Sequence, residues 1–128
     1  MIRVLPKNEL EKLSMKAGAE GLTLGDIAAT CEEFDVTPQD VLNELSVAVA
    51  EGYLQGSLIY DFCDDVMNGI VNAVVEVGMT NEMPQPAFSL YQAFDQGEWI
   101  RSSDPPETDP SEKNTKPLVR EILRALRG

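Results

Sequence analysis

Histidine is absent from all 128 residues. That removes the commonest general base, every zinc pattern built on Cys and His, and any Ser-His nucleophile. Lysine and arginine are absent from Ala17 to Ile100, a stretch that holds fifteen aspartates and glutamates. No pairing within that stretch relieves its self-repulsion, and a partner that brings the positive charge is a reason to keep it. Cysteine is scarce: Cys31 and Cys63 are expected to be free thiols of a reducing compartment rather than a disulfide, because a chain with this much core needs no staple. Long apolar runs are also missing. Val71 to Val77 is interrupted by Glu76 and flanked by Asn68 and Asn72, well short of the roughly 20 residues that span a bilayer. Met1 to Lys7 has no apolar stretch behind its charges, since Lys7, Glu9, Glu11 and Lys12 follow at once, so a cytoplasmic protein is expected. Neither a glycine-rich phosphate loop nor a nucleophile elbow is present. The expectation is a non-enzyme that needs no cofactor and no metal.

What is present is a globular acidic chain. Net charge is -12, with 43% hydrophobic residues. A chain of this length forms one domain and buries roughly 65–70% of the surface its unfolded form exposes. Leu, Ile, Val, Phe and Met recur almost everywhere except residues 101–116, which separates it from acidic disordered chains.

The apolar spacing predicts helices with recognisable starts. Asn8 with Glu11 has the pattern of a capping box, followed by Leu10, Leu13 and Ala17 on one face and Gly18 and Gly21 as stops. Thr23 with Asp26 opens a second helix carrying Leu24, Ile27, Cys31 and Phe34. Thr37, Pro38 and Asp40 make the strongest start, with Pro at a position where no backbone donor is missed. That third helix is expected to reach about Glu51, with Val41, Leu45 and Ala48 inward and Gly52 closing it. Ser57 to Val77 reads as the central helix, its Ile59, Phe62, Val66, Ile70, Val74 and Val77 opposite Asp61, Asp65, Asn68, Asn72 and Glu76, with Gly78 at its end. Tyr53 to Tyr60 also suits a short strand. A fifth helix fits Pro86 to Asp95, and an exposed loop is expected over 102–116, where proline and acid residues concentrate. The last helix starts near Thr115 and Pro117, buries Val119, Ile122, Leu123 and Leu126, and carries Arg120, Arg124 and Arg127 as a basic stripe expected to pair with the acidic body. The fold class is therefore all-α, a single-domain bundle of five to six helices over residues 1–128.

Three features bear on function. Asp61, Asp64 and Asp65 fall on adjacent helical positions, which suits a water-facing first turn, a partner-binding face, or a carboxylate metal site if other helices supplied ligands. Ile27 to Leu45 loosely has helix-turn-helix form, but its second helix carries Asp40, Glu44 and Glu51, which would repel phosphates. Tyr91 to Ile100 interleaves Asp95 and Glu98 with Tyr91, Phe94 and the single tryptophan, Trp99, the make-up of a protein–protein hot spot, or of a core turn beside Gly97.

Tyr60-Asp61-Phe62-Cys63-Asp64-Asp65-Val66-Met67-Asn68, Ala93-Phe94-Asp95-Gln96-Gly97-Glu98-Trp99, and Thr115-Lys116-Pro117-Leu118-Val119 leading into Ile122-Leu123 resemble small bacterial immunity proteins of polymorphic-toxin and contact-dependent growth inhibition systems. The resemblance covers roughly the C-terminal 70 residues. It implies a cytoplasmic protein that binds and neutralises a cognate toxin domain, frequently a nuclease, without handling nucleic acid or membrane itself. The partner-binding residues expected are Asp61, Asp64, Asp65, Tyr91, Asp95, Glu98 and Trp99. A nucleic-acid mimic that inhibits a DNA-binding enzyme, or a non-catalytic adaptor whose acidity keeps it soluble, are the alternatives.

Overall fold

The structure is a computed structural model that describes residues 4–127. Six helices and no strand make up the regular structure among those residues: α1 Lys7–Glu20, α2 Leu24–Phe34, α3 Pro38–Gln55, α4 Tyr60–Thr80, α5 Ala87–Asp95 and α6 Lys116–Arg127. The all-α bundle expected from spacing is what forms, and the strand alternative at Tyr53 to Tyr60 is not taken up.

Two of the three helix starts form as read. Thr23 and Thr37 accept from the backbone N–H of Asp26 and Asp40 at 3.1 Å each, and both aspartates return a bond to the threonine N–H. Each reciprocal pair satisfies donors that a helix start otherwise leaves open. The third differs. Pro6, not Asn8, stands before α1, and its carbonyl accepts from Glu9 and Leu10 with no side-chain cap.

Glycines expected to stop helices lie inside them instead. α3 runs past Gly52 to Gln55, and α4 runs past Gly78 to Thr80. At both sites another part of the chain covers the glycine closely: a Cβ on Gly52 would stand 2.6 Å from Leu58, and one on Gly78 would stand 2.7 Å from Met83. A glycine there serves packing, and the helix propensity of its neighbours carries the backbone through. Gly18 likewise sits within α1, which ends at Gly21.

The core joins all six helices. Ile27, Val41, Leu42, Leu45, Val66, Met67, Ile70, Val74, Leu90, Phe94 and Val119 are fully buried. The central position expected for α4 is shared with α3, which packs against α1, α2, α4, α5 and α6. The crossing of α1 and α4 is the closest: a Cβ on Gly69 would lie 2.0 Å from the Ala17 carbonyl oxygen, and Leu22 N–H donates to the Gly69 carbonyl at 2.8 Å. Only a residue without a side chain lets two backbones approach this far.

The expected loop is shorter than 102–116. A π-helical turn over Ser111–Thr115 runs directly into α6, with Ser111 and Thr115 buried. Asp109 starts it by accepting from the backbone N–H of Ser111 at 3.0 Å and from the Ser111 hydroxyl at 2.7 Å. Pro110 follows that cap as Pro38 follows Thr37, so the start signal was present within a segment whose composition reads as loop.

Candidate functional site

The first turns of α4 place Tyr60, Asp61, Asp64 and Asn68 along one side. The turn that ends α5 brings Gly97 and Glu98 opposite them, and the start of the π-helical turn adds Asp109, Pro110 and Ser111. Between them lies a cleft of about 640 Å³. The approach of these segments depends on Gly97, whose Cβ would meet the Thr115 hydroxyl at 2.3 Å and the Tyr60 ring at 3.0 Å. Tyr60 fixes the same junction by donating its hydroxyl to the Phe94 carbonyl. Tyr53, Tyr60 and Phe94 pack around that bond, with Tyr53 and Phe94 edge to face at 5.2 Å.

Asp64 is the unusual group. One oxygen, Oδ2, accepts a long bond from the Asn68 amide at 3.4 Å, and the same amide reaches Glu98 at 3.3 Å. The other oxygen, Oδ1, is shut off from solvent and has no hydrogen-bond partner. Burial first, then a hydrogen bond with the Glu98 carboxyl and the charges of Glu98, Asp65 and Asp95, raise the Asp64 carboxyl to about 7. The Tyr91 hydroxyl is raised too, by burial and then by Asp95, Glu98 and Asp64. Burial pushes the neighbouring Cys63 thiol up to about 12, which makes it an inert core group, and neither cysteine is in a disulfide.

The sequence-predicted residues divide accordingly. Asp61, Asp64 and Glu98 line the cleft, Asp95 on α5 raises the Asp64 carboxyl, and Asp64 in turn raises the Tyr91 hydroxyl. Asp65 is exposed on the side of α4 that meets Gly18 of α1. Trp99 is 47% exposed and lies outside the cleft, with the Arg101 guanidinium 5.1 Å over its ring. Phe94 is core. Sequence reasoning missed Asn68, which spacing alone would place one turn beyond Asp64, and Asp109, which the helix-start signal would have drawn out of the loop.

Among the described residues no lysine or arginine lines the cleft. Of the basic stripe on α6, Arg127 pairs with Glu51 of α3 at 3.4 Å, while Arg120 and Arg124 make no ion pair among the described residues. Among those residues, the cleft's negative charge has no cation placed within it. Among the described residues no group of three or more His, Cys, Asp or Glu side chains is arranged to hold a metal ion, and no helix is long and apolar enough to cross a membrane. No family model, curated protein or solved structure matches the chain.

Proposed function

We propose that this protein binds a basic protein domain and blocks it sterically, with the cleft between α4 and the end of α5 as the centre of the contact. The observation that carries the reading is Asp64: a solvent-excluded carboxyl oxygen without a donor, close to Glu98, in a cleft that no lysine or arginine lines among the described residues. Strongly perturbed groups of this kind lower stability and cluster at functional sites. The fifteen acids between Ala17 and Ile100 would steer a cationic partner to the cleft, and the exposed Trp99 would supply apolar contact at its margin. In its most concrete form the partner is a toxin nuclease domain, and the protein is a cytoplasmic immunity protein whose carboxylates take the places of phosphates. That form rests on the resemblance read from the sequence at Tyr60 to Asn68 and Ala93 to Trp99.

Capture from a lysate of the source organism at low and high salt, with bound proteins identified by mass spectrometry, tests it. The native chain is expected to retain one basic domain after bulk basic protein has eluted, and the purified chain should inhibit that domain's activity at equimolar ratio. The double variant Asp61→Asn, Glu98→Gln should bind it at least about tenfold more weakly, the loss of two charge contacts at an interface. Diffuse elution of every basic protein at moderate salt would refute the reading and leave acidity as a solubility device.

A further inference from the structure

Helix α6 has a wider apolar arc than the bundle covers. Val119 and Leu123 are buried, whereas Leu118 is 39% exposed and Leu126, which its spacing turns inward, is 37% exposed. With the half-buried Ile122 between them they recur every fourth residue, forming an edge about 12 Å long. Arg120, Glu121 and Arg124 are exposed on the same helix and make no ion pair among the described residues. A second uncovered apolar surface lies elsewhere. A groove of about 640 Å³ opens between α1, α3 and the segment leading into α4, lined by Leu10, Ser14, Val49, Leu58 and Phe62, with the exposed Met15 at its margin. Its α1 wall carries Lys7, Glu11 and Met15 at four-residue intervals, so it too is about 12 Å long. Neither Lys7 nor Glu11 makes an ion pair among the described residues. Glu51 on the α3 wall pairs with Arg127 at 3.4 Å, so the last turn of α6 ends at the rim of the groove.

We propose that two copies of this chain associate by each placing the α6 edge of Leu118, Ile122 and Leu126 in the groove between α1 and α3 of the other. Length and charge both fit. An amphipathic helix seats in a groove through apolar side chains repeated every three to four residues, and the edge and the groove wall each span two turns. The edge brings two arginines without an ion pair and one glutamate; the groove offers Glu11 and Lys7, so each sign meets its opposite. Beyond the groove, the fifteen acids between Ala17 and Ile100 make a second copy of this chain the complement of the basic side of α6. Because α6 ends at the groove's rim, the two surfaces adjoin, and a two-fold axis brings both into contact at once. One two-turn contact is small against the roughly 1,200–2,000 Å² of a stable interface, and reciprocal exchange doubles it. The charge of -12 on each chain opposes the approach, but at physiological ionic strength it is screened beyond roughly 8 Å. The expected dimer is weak, with a dissociation constant of about 10–100 µM.

Sedimentation velocity of the full chain from about 10 to about 500 µM, at about 0.15 M salt, tests the association. A monomer–dimer equilibrium is expected. Met15→Glu and Leu126→Glu each put a carboxylate into the contact from a position exposed in the single chain, and each should weaken dimerisation at least about tenfold while leaving helical content and thermal midpoint of the dilute chain unchanged. Backbone amide resonances of dilute and concentrated native chain locate the contact: shifts should concentrate in residues 7–15, 48–55 and 118–126, and Asp61, Asp64 and Glu98 should stay unmoved. A chain that is monomeric over the whole range, a dimer that neither variant weakens, or shifts gathered on another surface would overturn the proposal. None of these outcomes bears on whether a basic domain is retained in the capture experiment, because the cleft between α4 and the end of α5 takes no part in this contact.

Discussion

A fully buried acid and a partly buried one face opposite situations on the two flanks of the bundle. Glu44, on α3, is 1% exposed, and its Oε1 accepts from the backbone N–H of Val4 at 2.7 Å and of Leu5 at 2.9 Å. It ties the chain ahead of α1 to the core. The same flank holds Glu9, which accepts from the Thr30 hydroxyl at 3.2 Å and pairs with Lys12 at 3.1 Å, and Ser14, which donates to the Leu10 carbonyl. Asp64, on the cleft flank, is partly buried, with one long bond from Asn68 to Oδ2 and no partner for the solvent-excluded Oδ1. A carboxylate is worth burying when backbone donors surround it and costs stability when only other carboxylates do. Acid count therefore overstates the free acidic surface: Glu44 belongs to the scaffold, whereas Asp64 keeps one oxygen without a partner.

The comparison can be broken most severely on the scaffold side. Gly69→Ala would drive a methyl group into the Ala17 carbonyl, 2.0 Å from its Cβ. Backbone cannot yield as a side chain tip does, so α1 should be forced off α4. The expected loss is about 3 kcal/mol or more, measured by denaturant unfolding, and a loss below about 1 kcal/mol would mean that the crossing relaxes easily. Glu44→Ala leaves two backbone donors, those of Val4 and Leu5, without their acceptor. Each buried unsatisfied group costs about 1–3 kcal/mol, and partial hydration brings the expected total to about 2–3 kcal/mol. Glu44→Gln keeps an acceptor oxygen and should recover most of that, which separates hydrogen bonding from charge.

Asp64→Asn should act in the opposite direction. Because the folded carboxyl ionises at about 7 against an ordinary value of 3.8, the folded chain holds a proton that the unfolded chain has released between those pH values. The stability it contributes is thus fully present below about pH 4 and is lost as pH rises through 7. Full linkage over that interval would amount to about 4 kcal/mol, and solvent screening at a partly exposed carboxyl reduces the expected difference to about 1–2 kcal/mol. Asp26, Asp104 and Asp109, all held low by hydrogen bonds from Thr23, Lys113 and Ser111 respectively, give stability above their unfolded values that is lost on acidification. The thermal midpoint of the native chain should therefore peak between about pH 4 and 6, and Asp64→Asn should be the more stable protein at pH 8 and close to equal at pH 5. A midpoint that rises from pH 5 to 8, or a variant less stable at pH 8, would show that Asp64 is satisfied after all.

Much of this was legible beforehand, for reasons that can be stated residue by residue. Thr23 with Asp26 and Thr37 with Pro38 and Asp40 are local devices, complete within four residues, and both formed as read. Ile70 and Val74 are buried as their spacing requires. The extent of helices was less legible, because Gly52 and Gly78 mark contacts with Leu58 and Met83, residues the helix period says nothing about. Of the candidate residues, Asp61, Asp64 and Glu98 meet in one cleft, but nothing in their spacing distinguished them from Asp65, which faces elsewhere, or Trp99, which lies outside it.

By itself the sequence determined an all-helical chain, the starts of α2 and α3, and an acidic stretch without a cation, because capping, periodicity and charge are properties of neighbours along the chain. Only the tertiary structure decided which acids are spent on the fold and which are left over. That distinction depends on donors brought from afar: Val4 and Leu5 reach Glu44 across about forty residues, whereas Glu98, thirty residues beyond Asn68, brings a second carboxyl to the one amide that reaches Asp64.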